Sequence, residues 1–181
     1  SKSAERMQTL IKDILEYNRA SSEEDNFEKV DLNDLLQEIK KELKETLEEE
    51  KAELVIEGHL PEVSGLQFLI KQCLLNPIHN AIKFKHPDRK LQIRIFNDQN
   101  HSKSDMYSVI SIQDNGIGFD NQHNEKIFKI FSRLHSKSDY EGTGIGLAFC
   151  KKIMLKHRGF IDANGRPNEG AAIRLYFPKV S

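Results

Sequence analysis

The apolar residues near the N-terminus predict an amphipathic helix over residues 3–20. They recur three or four positions apart, which places them on one side of a helix. The residues of this stripe are Met7, Leu10, Ile11, Ile14, Leu15 and Tyr17. Because an apolar stripe must be covered, we expect this helix to pack on a partner helix or on the rest of the chain. The polar residues 21–26 then break the pattern and predict a domain boundary.

A short extended segment and a second amphipathic helix are predicted after this boundary. Residues 27–32 are predicted to be extended, and Asp31 is suited to cap the next helix because its side-chain oxygen can accept a backbone N–H. The buried face of that helix would consist of Leu32, Leu35, Leu36, Ile39 and Leu43. The almost wholly charged residues 44–51 predict a solvated helical end.

The rest of the chain predicts a mixture of strands and helices. Alternating or clustered apolar residues predict strands at 54–56, 91–96, 107–113, 160–163 and 171–177. Helical spacing predicts long helices at 66–85 and 146–157 and a short one near 125–131. Because strands do not alternate regularly with helices, the order argues against a Rossmann-type fold. It predicts an α+β fold, a two-layer sandwich of helices on a mostly antiparallel, mixed sheet.

The composition is typical of a soluble globular domain with an appendage. Of the 181 residues, 38% are hydrophobic and 30% are charged, which is enough apolar surface for one core. No apolar run approaches the roughly 20 residues that span a bilayer, and the N-terminus lacks a signal-peptide pattern. We therefore expect a cytoplasmic domain, with membrane attachment of a longer parent protein left open. The start at Ser1 suggests a piece of such a longer protein.

Charge is unevenly divided along the chain, although the net charge is only −1. Residues 1–60 carry 9 Lys/Arg against 17 Asp/Glu, and residues 61–181 carry 18 against 11. The later part therefore favours an anionic ligand. Its basic residues do not form one dense run with aromatic residues, so a nucleotide fits better than nucleic acid.

Cys73 and Cys150 lie in apolar helical stretches and are predicted to be buried packing residues in a reducing compartment, without a disulfide.

Three clusters of polar residues are candidates for a ligand-binding or catalytic site, and the first lies in the helix at 66–85. Asn76, Asn80 and Lys83 are four and three residues apart, so they share one side of the helix. An asparagine oxygen can bind Mg²⁺, and a lysine can neutralise phosphate. Two asparagines on a helix can also be merely solvated. Asparagine is a poor residue for a helix interior, however, which favours a functional role.

The other two clusters are rich in glycine. Asp114–Gly118 follows a predicted strand, and its carboxylate could accept a hydrogen bond from an exocyclic amine such as that of adenine. Its two glycines could let the backbone turn sharply and approach a flat ring closely. By itself this segment is an ordinary turn. Gly142–Leu147 opens the helix at 146–157, where backbone N–H groups and the helix dipole favour an anion. It is not a Walker A loop, and alone it is consistent with either phosphate binding or a plain turn.

Together and in this order, the clusters resemble the histidine kinase branch of the gyrase, Hsp90, histidine kinase and MutL ATPase superfamily. Asn76–Lys83 is similar to the N box of that family. Asp114–Gly118 is similar to its first glycine box, and Gly142–Gly146 to its second. Ile127–Phe131 resembles the phenylalanine box that lies between them.

The resemblance implies a division of the chain into three parts. Residues 1–22 are similar to the second helix of a dimerisation and histidine phosphotransfer domain, and residues 23–32 to the linker that follows it. Residues 33–181 would then be an ATP-binding catalytic domain with a Bergerat-type fold and a lid at about 119–145. Within that lid and the helix after it, residues 133–148 contain the segments most similar to kinases of the phytochrome type.

The resemblance also implies the residues of a site for ATP and Mg²⁺. Asn80 would bind the metal, and the catalytic residues would be Asn76, Lys83 and Arg133, of which the last two would contact phosphate. Asp114 would accept a hydrogen bond from the adenine amine. The full set of implied nucleotide-binding residues is Asn80, Lys83, Phe84, Asp114, Gly116, Gly118, Gly142, Thr143, Gly144, Gly146 and Leu147.

In this family, the ATP-binding domain donates the γ-phosphoryl group of ATP to a histidine of the dimerisation domain. The implied partners are that acceptor helix, a response-regulator receiver domain and, in a full-length protein, a second copy of the chain; nucleic acid is not implied. None of the 7 histidines here is followed directly by an acidic residue and then, shortly after, by a proline, which is the order typical of the acceptor. We therefore predict that this chain binds ATP without phosphorylating itself, and that it self-associates weakly at most.

Pro77 and Asn76 bear on the alternatives to this interpretation. Pro77 lies where the family has an apolar residue, and because proline removes one helical hydrogen bond, we predict a kink at 73–77. A gyrase- or MutL-like ATPase would need a glutamate base at the position of Asn76, which counts against that alternative. A non-catalytic, nucleotide-binding regulatory module is the other alternative.

Overall fold

The structure, a computed structural model, describes residues 26–128 and 146–179 together with Gln8, Lys12 and Leu15. The described residues form seven strands, β1 (Glu28–Asp31), β2 (Glu53–Glu57), β3 (Glu62–Gly65), β4 (Gln92–Asn97), β5 (Tyr107–Asp114), β6 (Phe160–Arg166) and β7 (Gly170–Pro178). They also form four longer helices, α1 (Leu32–Glu42), α2 (Lys44–Glu49), α3 (Gln67–Lys83) and α4 (Gly146–Lys156). Two short 3₁₀ turns lie at Asn121–His123 and Lys126–Phe128.

Five of these strands form one mixed sheet in the order β2-β4-β5-β7-β6. β2 and β4 are parallel, and the other neighbouring pairs of this sheet are antiparallel. The predicted mostly antiparallel, mixed sheet is therefore confirmed. β1 and β3 form a separate antiparallel pair in which Val30 lies opposite Val63.

β3 is the strand that the sequence pattern does not predict. Its four residues, Glu-Val-Ser-Gly, contain a single apolar side chain, so no alternation is visible along them. The strand forms because its backbone pairs with β1 and because Val63 is buried at 1% exposure. Long-range pairing therefore decides the conformation of a segment whose own residues carry little signal.

One face of the five-stranded sheet forms the core with the helices. Side chains alternate between the two faces of a strand, and the inner face carries the buried residues Ile93, Ile95, Ile110, Ile112 and Leu175. The helices contribute to the same core Leu36, Ile39, Ile70, Leu74, Phe149 and Ile153. The outer face carries aromatic side chains, with Phe160 stacked on Tyr176, and ion pairs between Arg94 and Glu57 and between Arg174 and Asp162. This is the predicted two-layer arrangement.

Asp31 caps α1 as predicted, because its Oδ1 accepts the backbone N–H of Asn33 at 2.8 Å. The predicted buried face of α1 is confirmed, with every one of its five residues at most 6% exposed. The charged segment that follows differs from the prediction, since it forms the separate short helix α2. Leu47 in this helix is only 7% exposed. It lies four residues after Leu43 and so extends the apolar stripe of α1.

The N-terminal helix is described at three positions. Gln8, Lys12 and Leu15 are helical, and all three are exposed. The other residues of the predicted helix at 3–20 lie outside the described residues, and the domain boundaries near 22 and 32 stay predictions. In the part of the chain that the structure describes, no helix is both long enough and apolar enough to cross a bilayer.

Candidate functional site

Helix α3 carries the first polar cluster and passes through Pro77 without interruption. Because proline has no N–H, the backbone oxygen of Cys73 lacks its usual helical donor. The thiol of Cys150 on α4 faces this oxygen, with 4.0 Å between Sγ and O. The helix is therefore continuous at Pro77, and the predicted bend of its axis at 73–77 stays a prediction.

Asn76 and the two cysteines join α3 to α4. The side-chain amide of Asn76 donates to the backbone oxygen of Gly146 at 3.0 Å and lies 3.7 Å from the sulfur of Cys150. Cys73 and Cys150 are both buried and form no disulfide, as predicted. Burial raises the pKa of the Cys73 thiol, which is therefore protonated at neutral pH. Asn76 thus holds the first residue of α4, a contact that its position in the sequence does not reveal.

Asn80 lies one helical turn after Asn76 and is half-buried. In the described part of the chain, no hydrogen bond engages its side chain. Its amide oxygen is a hard ligand of the kind that Mg²⁺ prefers. At the end of the same helix, Nζ of Lys83 lies 5.1 Å from the centre of the Phe84 ring. The structure therefore brings a possible metal ligand, a cation and an aromatic ring together within two turns of α3.

Asp114 ends β5 on the inner side of the sheet, in register with Ile93 on β4 and Ala171 on β7. Its Oδ1 accepts the backbone N–H of Gly116 at 2.9 Å. Burial raises the pKa of Asp114, while hydrogen bonds from the N–H groups of Gly116 and Ala171 and the charge of Arg89 oppose that rise. A partly buried carboxylate with a raised pKa is a feature that functional sites often share.

The packing of this turn itself requires Gly116 and Gly118. A Cβ atom on Gly116 would come 2.5 Å from the backbone oxygen of Phe84. Gly118 has a φ of 66°, which other residues rarely adopt, and a Cβ there would come 2.1 Å from the backbone oxygen of Arg166. The sequence prediction gives another reason for the same glycines, the approach of a flat ring, and that reason stays a prediction.

Arg89 binds the same turn from outside, and the side chain of Asn115 joins the turn to the start of β4; sequence reasoning predicted neither contact. Arg89 donates from Nε to the backbone oxygen of Asn115 at 2.6 Å and from Nη2 to that of Gly116 at 2.9 Å. The Asn115 side chain accepts the N–H of Gln92 at 2.8 Å and donates to the backbone oxygen of Lys90 at 2.9 Å. No motif could have indicated these contacts, because they join a loop and a turn that are distant in sequence.

Gly146 and Leu147 begin α4 directly after the end of the predicted lid in the sequence. Leu147 belongs to a second apolar cluster, here named the lid-base cluster, whose members are each at most 9% exposed. Its members are Phe128, Leu147, Ala163 and Ile173. Phe128 comes from the segment that resembles the phenylalanine box, so this cluster joins that segment to the first turn of α4.

The remaining predicted site residues lie outside the described residues. They are Arg133, Gly142, Thr143 and Gly144, together with residues 129–145 of the predicted lid. Their roles stay predictions. Of the helix predicted near 125–131, the structure describes one 3₁₀ turn, Lys126–Phe128, and the later residues also lie outside the description.

Residues 65–181 match the family model described as histidine kinase-, DNA gyrase B-, and HSP90-like ATPase. The chain belongs to this ATPase family. The matched region contains α3, the turn after Asp114 and the start of α4, so the clusters that carry the resemblance all lie inside it. The resemblance inferred from the sequence is confirmed.

Relatives in this family include a phytochrome-like protein and a cyanobacterial phytochrome. The chain is 39% identical over 172 residues to the phytochrome-like protein Cph1 of Synechocystis sp. and 36% identical over 172 residues to cyanobacterial phytochrome A of Nostoc sp.. In both cases the match covers 95% of this chain and 22% of the relative. The chain thus spans about a fifth of the length of these relatives, and the predicted similarity to phytochrome-type kinases is confirmed.

Solved structures with the same fold include ShkA and the histidine kinase ThkA. Full-length ShkA in complex with AMPPNP gives a TM-score of 0.79 at 20% identity, covering 99% of this chain and 38% of ShkA, which shows the fold alone. The catalytic domain of the histidine kinase ThkA gives a TM-score of 0.68 at 25% identity, covering 86% of this chain and 99% of that domain. The predicted fold class is confirmed.

Proposed function

We propose that this chain is the ATP-binding catalytic part of a sensor histidine kinase. The observation that carries the proposal is Asp114. It is a partly buried carboxylate on the inner side of the sheet, held by the N–H of Gly116 at 2.9 Å, in the segment that resembles the family's first glycine box. The exocyclic amine of adenine is a hydrogen-bond donor, whereas guanine carries a carbonyl oxygen at that position. An ionised Asp114 would therefore favour adenine over guanine.

The described residues fit a nucleotide with its metal. Asn80 has a half-buried amide oxygen that no hydrogen bond engages in the described part of the chain, and such an oxygen suits Mg²⁺. Lys83, three residues further along α3, would neutralise phosphate, and Phe84 would lie near the nucleotide. The resemblance adds further phosphate-end residues, which are Arg133, Gly142, Thr143, Gly144, Gly146 and Leu147. We assign these residues to the phosphate end of the site.

The chemistry that we propose for the whole protein is transfer of the γ-phosphoryl group of ATP to a histidine. This chain would contribute positioning and charge neutralisation, and it would not form a covalent bond itself. No histidine in the sequence is followed directly by an acidic residue and then by a proline, which is the order typical of an acceptor. The acceptor would thus belong to a dimerisation domain outside this sequence, and this chain would bind ATP without phosphorylating itself.

The partners that we propose are those of a two-component system. They are the acceptor helix, a second copy of the full-length protein and a response-regulator receiver domain, in the cytoplasm. One solved structure with a similar fold contains the histidine kinase ThkA in complex with the response regulator protein TrrA, at 25% identity and a TM-score of 0.72. That complex supports a regulator as partner.

A gyrase- or MutL-like ATPase is not favoured, because the amide of Asn76 cannot act as a base and donates to Gly146.

Substitution of Asp114 tests this function. We expect Asp114→Ala to lower the affinity for ATP and ADP at least about tenfold, since a charge-assisted hydrogen bond is lost, and to leave GDP binding unchanged. Isothermal titration calorimetry measures both. Asp162→Asn is a matched control, because Asp162 is paired with Arg174 on the outer face of the sheet. Unchanged ADP affinity in Asp114→Ala would contradict the proposal.

The pH dependence of binding provides a second measurement on the same residue. The ionised carboxylate is the form that accepts from the adenine amine, so affinity should fall as pH falls through the pKa of Asp114. Because burial raises the pKa of Asp114, the nucleotide affinity should begin to fall at a higher pH than it would with an ordinary aspartate. Wild-type binding that is independent of pH down to the ordinary range of an aspartate would be inconsistent with this role.

A further inference from the structure

The loop between α3 and β4 contains an arginine that no predicted motif includes. Arg89 is exposed, yet its guanidinium makes three hydrogen bonds to backbone oxygens, those of Asn115, Gly116 and Asn168. A guanidinium group is planar and carries its donors in a fixed arrangement. Three backbone acceptors therefore fix its orientation, and the acceptors belong to the Asp114 turn and to the β6–β7 hairpin.

The first of two successive peptide groups in the turn is held at both ends. The oxygen of Asn115 and the N–H of Gly116 belong to one planar trans peptide group, so they point in opposite directions. Arg89 binds that oxygen at 2.6 Å, and the N–H donates to Oδ1 of Asp114 at 2.9 Å. The arginine on the outside and the carboxylate on the inside thus hold the same rigid group.

The next peptide group has the same arrangement. Its oxygen, on Gly116, accepts from Nη2 of Arg89 at 2.9 Å, and its N–H, on Ile117, donates to the backbone oxygen of Phe84 at 3.0 Å. Phe84 directly follows α3, so these bonds connect the turn with the end of that helix. Asn168 in the hairpin also bonds in two directions, because its N–H donates to the oxygen of Ile117 at 2.7 Å and its oxygen accepts from Arg89.

We propose that Arg89 is a positioning residue for adenine recognition, given that Asp114 binds the base as proposed above. Arg89 fixes two peptide groups from outside and so keeps the N–H of Gly116 directed at the Asp114 carboxylate. That N–H sets the orientation of the oxygen atoms that would meet the adenine amine. A cation on the oxygen of a peptide group also polarises the group and makes its N–H a stronger donor. Arg89 acts in this way without touching the nucleotide.

Two substitutions of Arg89 and one matched control test the proposal. Arg89→Ala removes both the positive charge and the planar set of N–H donors. Arg89→Lys keeps the charge but lacks the planar set of donors. The control is Arg174→Ala, which removes an arginine with two bonds to Asp162 on the outer face of the sheet. Binding is measured at a temperature where circular dichroism shows each variant to be folded.

The first readout needs no nucleotide. In the nucleotide-free protein, we expect Arg89→Ala to accelerate hydrogen exchange of the Gly116 and Ile117 amides about tenfold or more, because both lose the support of their peptide groups. NMR measures these two amides individually. Exchange at the same amides should be unchanged in Arg174→Ala. Unchanged exchange in Arg89→Ala would overturn the proposal, since Arg89 would then not hold the turn.

The second readout is binding of ADP and GDP by calorimetry. We expect Arg89→Ala to lower ADP affinity about tenfold and to reduce the preference for ADP over GDP. The reason is that the substitution disturbs only the Asp114 carboxylate, which would accept the hydrogen bond from the adenine amine. Arg89→Lys should recover only part of that loss. The affinity should also fall at a higher pH in Arg89→Ala than in the wild type, because the charge of Arg89 lowers the pKa of Asp114.

The possible failures can be told apart. Normal ADP binding and preference in Arg89→Ala, with a wild type that binds ADP, would overturn the role of Arg89 and leave the proposed function intact. An equal loss of ADP and GDP affinity would also overturn it, because a purely structural arginine predicts that result. A wild type that binds no adenine nucleotide would overturn this proposal together with the proposed function.

Discussion

The turn of α3 around Asn76 and the turn around Asn80 lie next to each other but have different surroundings. The amide of Asn76 is engaged by protein, since it donates to Gly146 at 3.0 Å and lies beside Cys150. The side chain of Asn80 is half-buried and has no hydrogen bond in the described part of the chain. The first turn is a contact between two helices, whereas the second presents the amide of Asn80, which has no hydrogen bond among the described residues.

The resemblance assigns Asn76 and Asn80 to one cluster, but their different surroundings indicate two separate roles. Asn76 keeps Gly146, the first residue of α4, attached to α3. Asn80 offers a hard oxygen ligand. The family resemblance makes Asn76 catalytic, and the observed contact gives it a structural role that accounts for an asparagine here without any contact to the nucleotide.

Asn80→Ala is expected to have the largest effect on metal-dependent binding. We expect ATP affinity in Mg²⁺ to fall at least about tenfold, or about 1.4 kcal/mol, because a metal ligand is lost. ATP affinity in EDTA and the free energy of unfolding should change little, since the side chain makes no hydrogen bond within the described residues. Calorimetry in the two buffers measures the difference. An equal loss in both buffers would argue against Asn80 as the ligand.

Asn76→Ala is the matched control, and its smaller effect should appear in stability. Removing the donor to the Gly146 oxygen should lower the free energy of unfolding by about 1 kcal/mol, measured by urea denaturation. The ratio of ATP affinities in Mg²⁺ and in EDTA should stay that of the wild type. If this ratio instead fell as far as in Asn80→Ala, both asparagines would face the metal, and the distinction between the two turns would be lost.

Much of the fold could be predicted because the apolar pattern is strong and local. The helix predicted at 66–85 is α3 at Gln67–Lys83, and Asp31 caps α1 because both residues of the cap are close in sequence. β3 could not be predicted, since its one apolar residue gives no period. The separate helix α2 escaped prediction because Leu47 is a lone buried residue among charged neighbours.

The candidate site could be predicted as a set of residue types, but its contacts could not. Asp114 and Asn80 stand out by motif, whereas the partner of Asn76 is 70 residues away along the chain. Gly116 was expected to make room for a ligand, but a side chain there would first collide with the oxygen of Phe84. Arg89 carries no motif at all. Its role depends on three backbone oxygens that only the folded chain brings together.

Titration of ATP into the wild-type chain, with Mg²⁺ and again with EDTA, is the measurement that decides most directly whether these residues form a nucleotide site. We predict saturable binding of ATP in Mg²⁺, weaker binding in EDTA and a preference for ATP over GTP. Calorimetry that detects no heat with millimolar ATP and Mg²⁺, together with an unchanged unfolding temperature, would contradict this prediction.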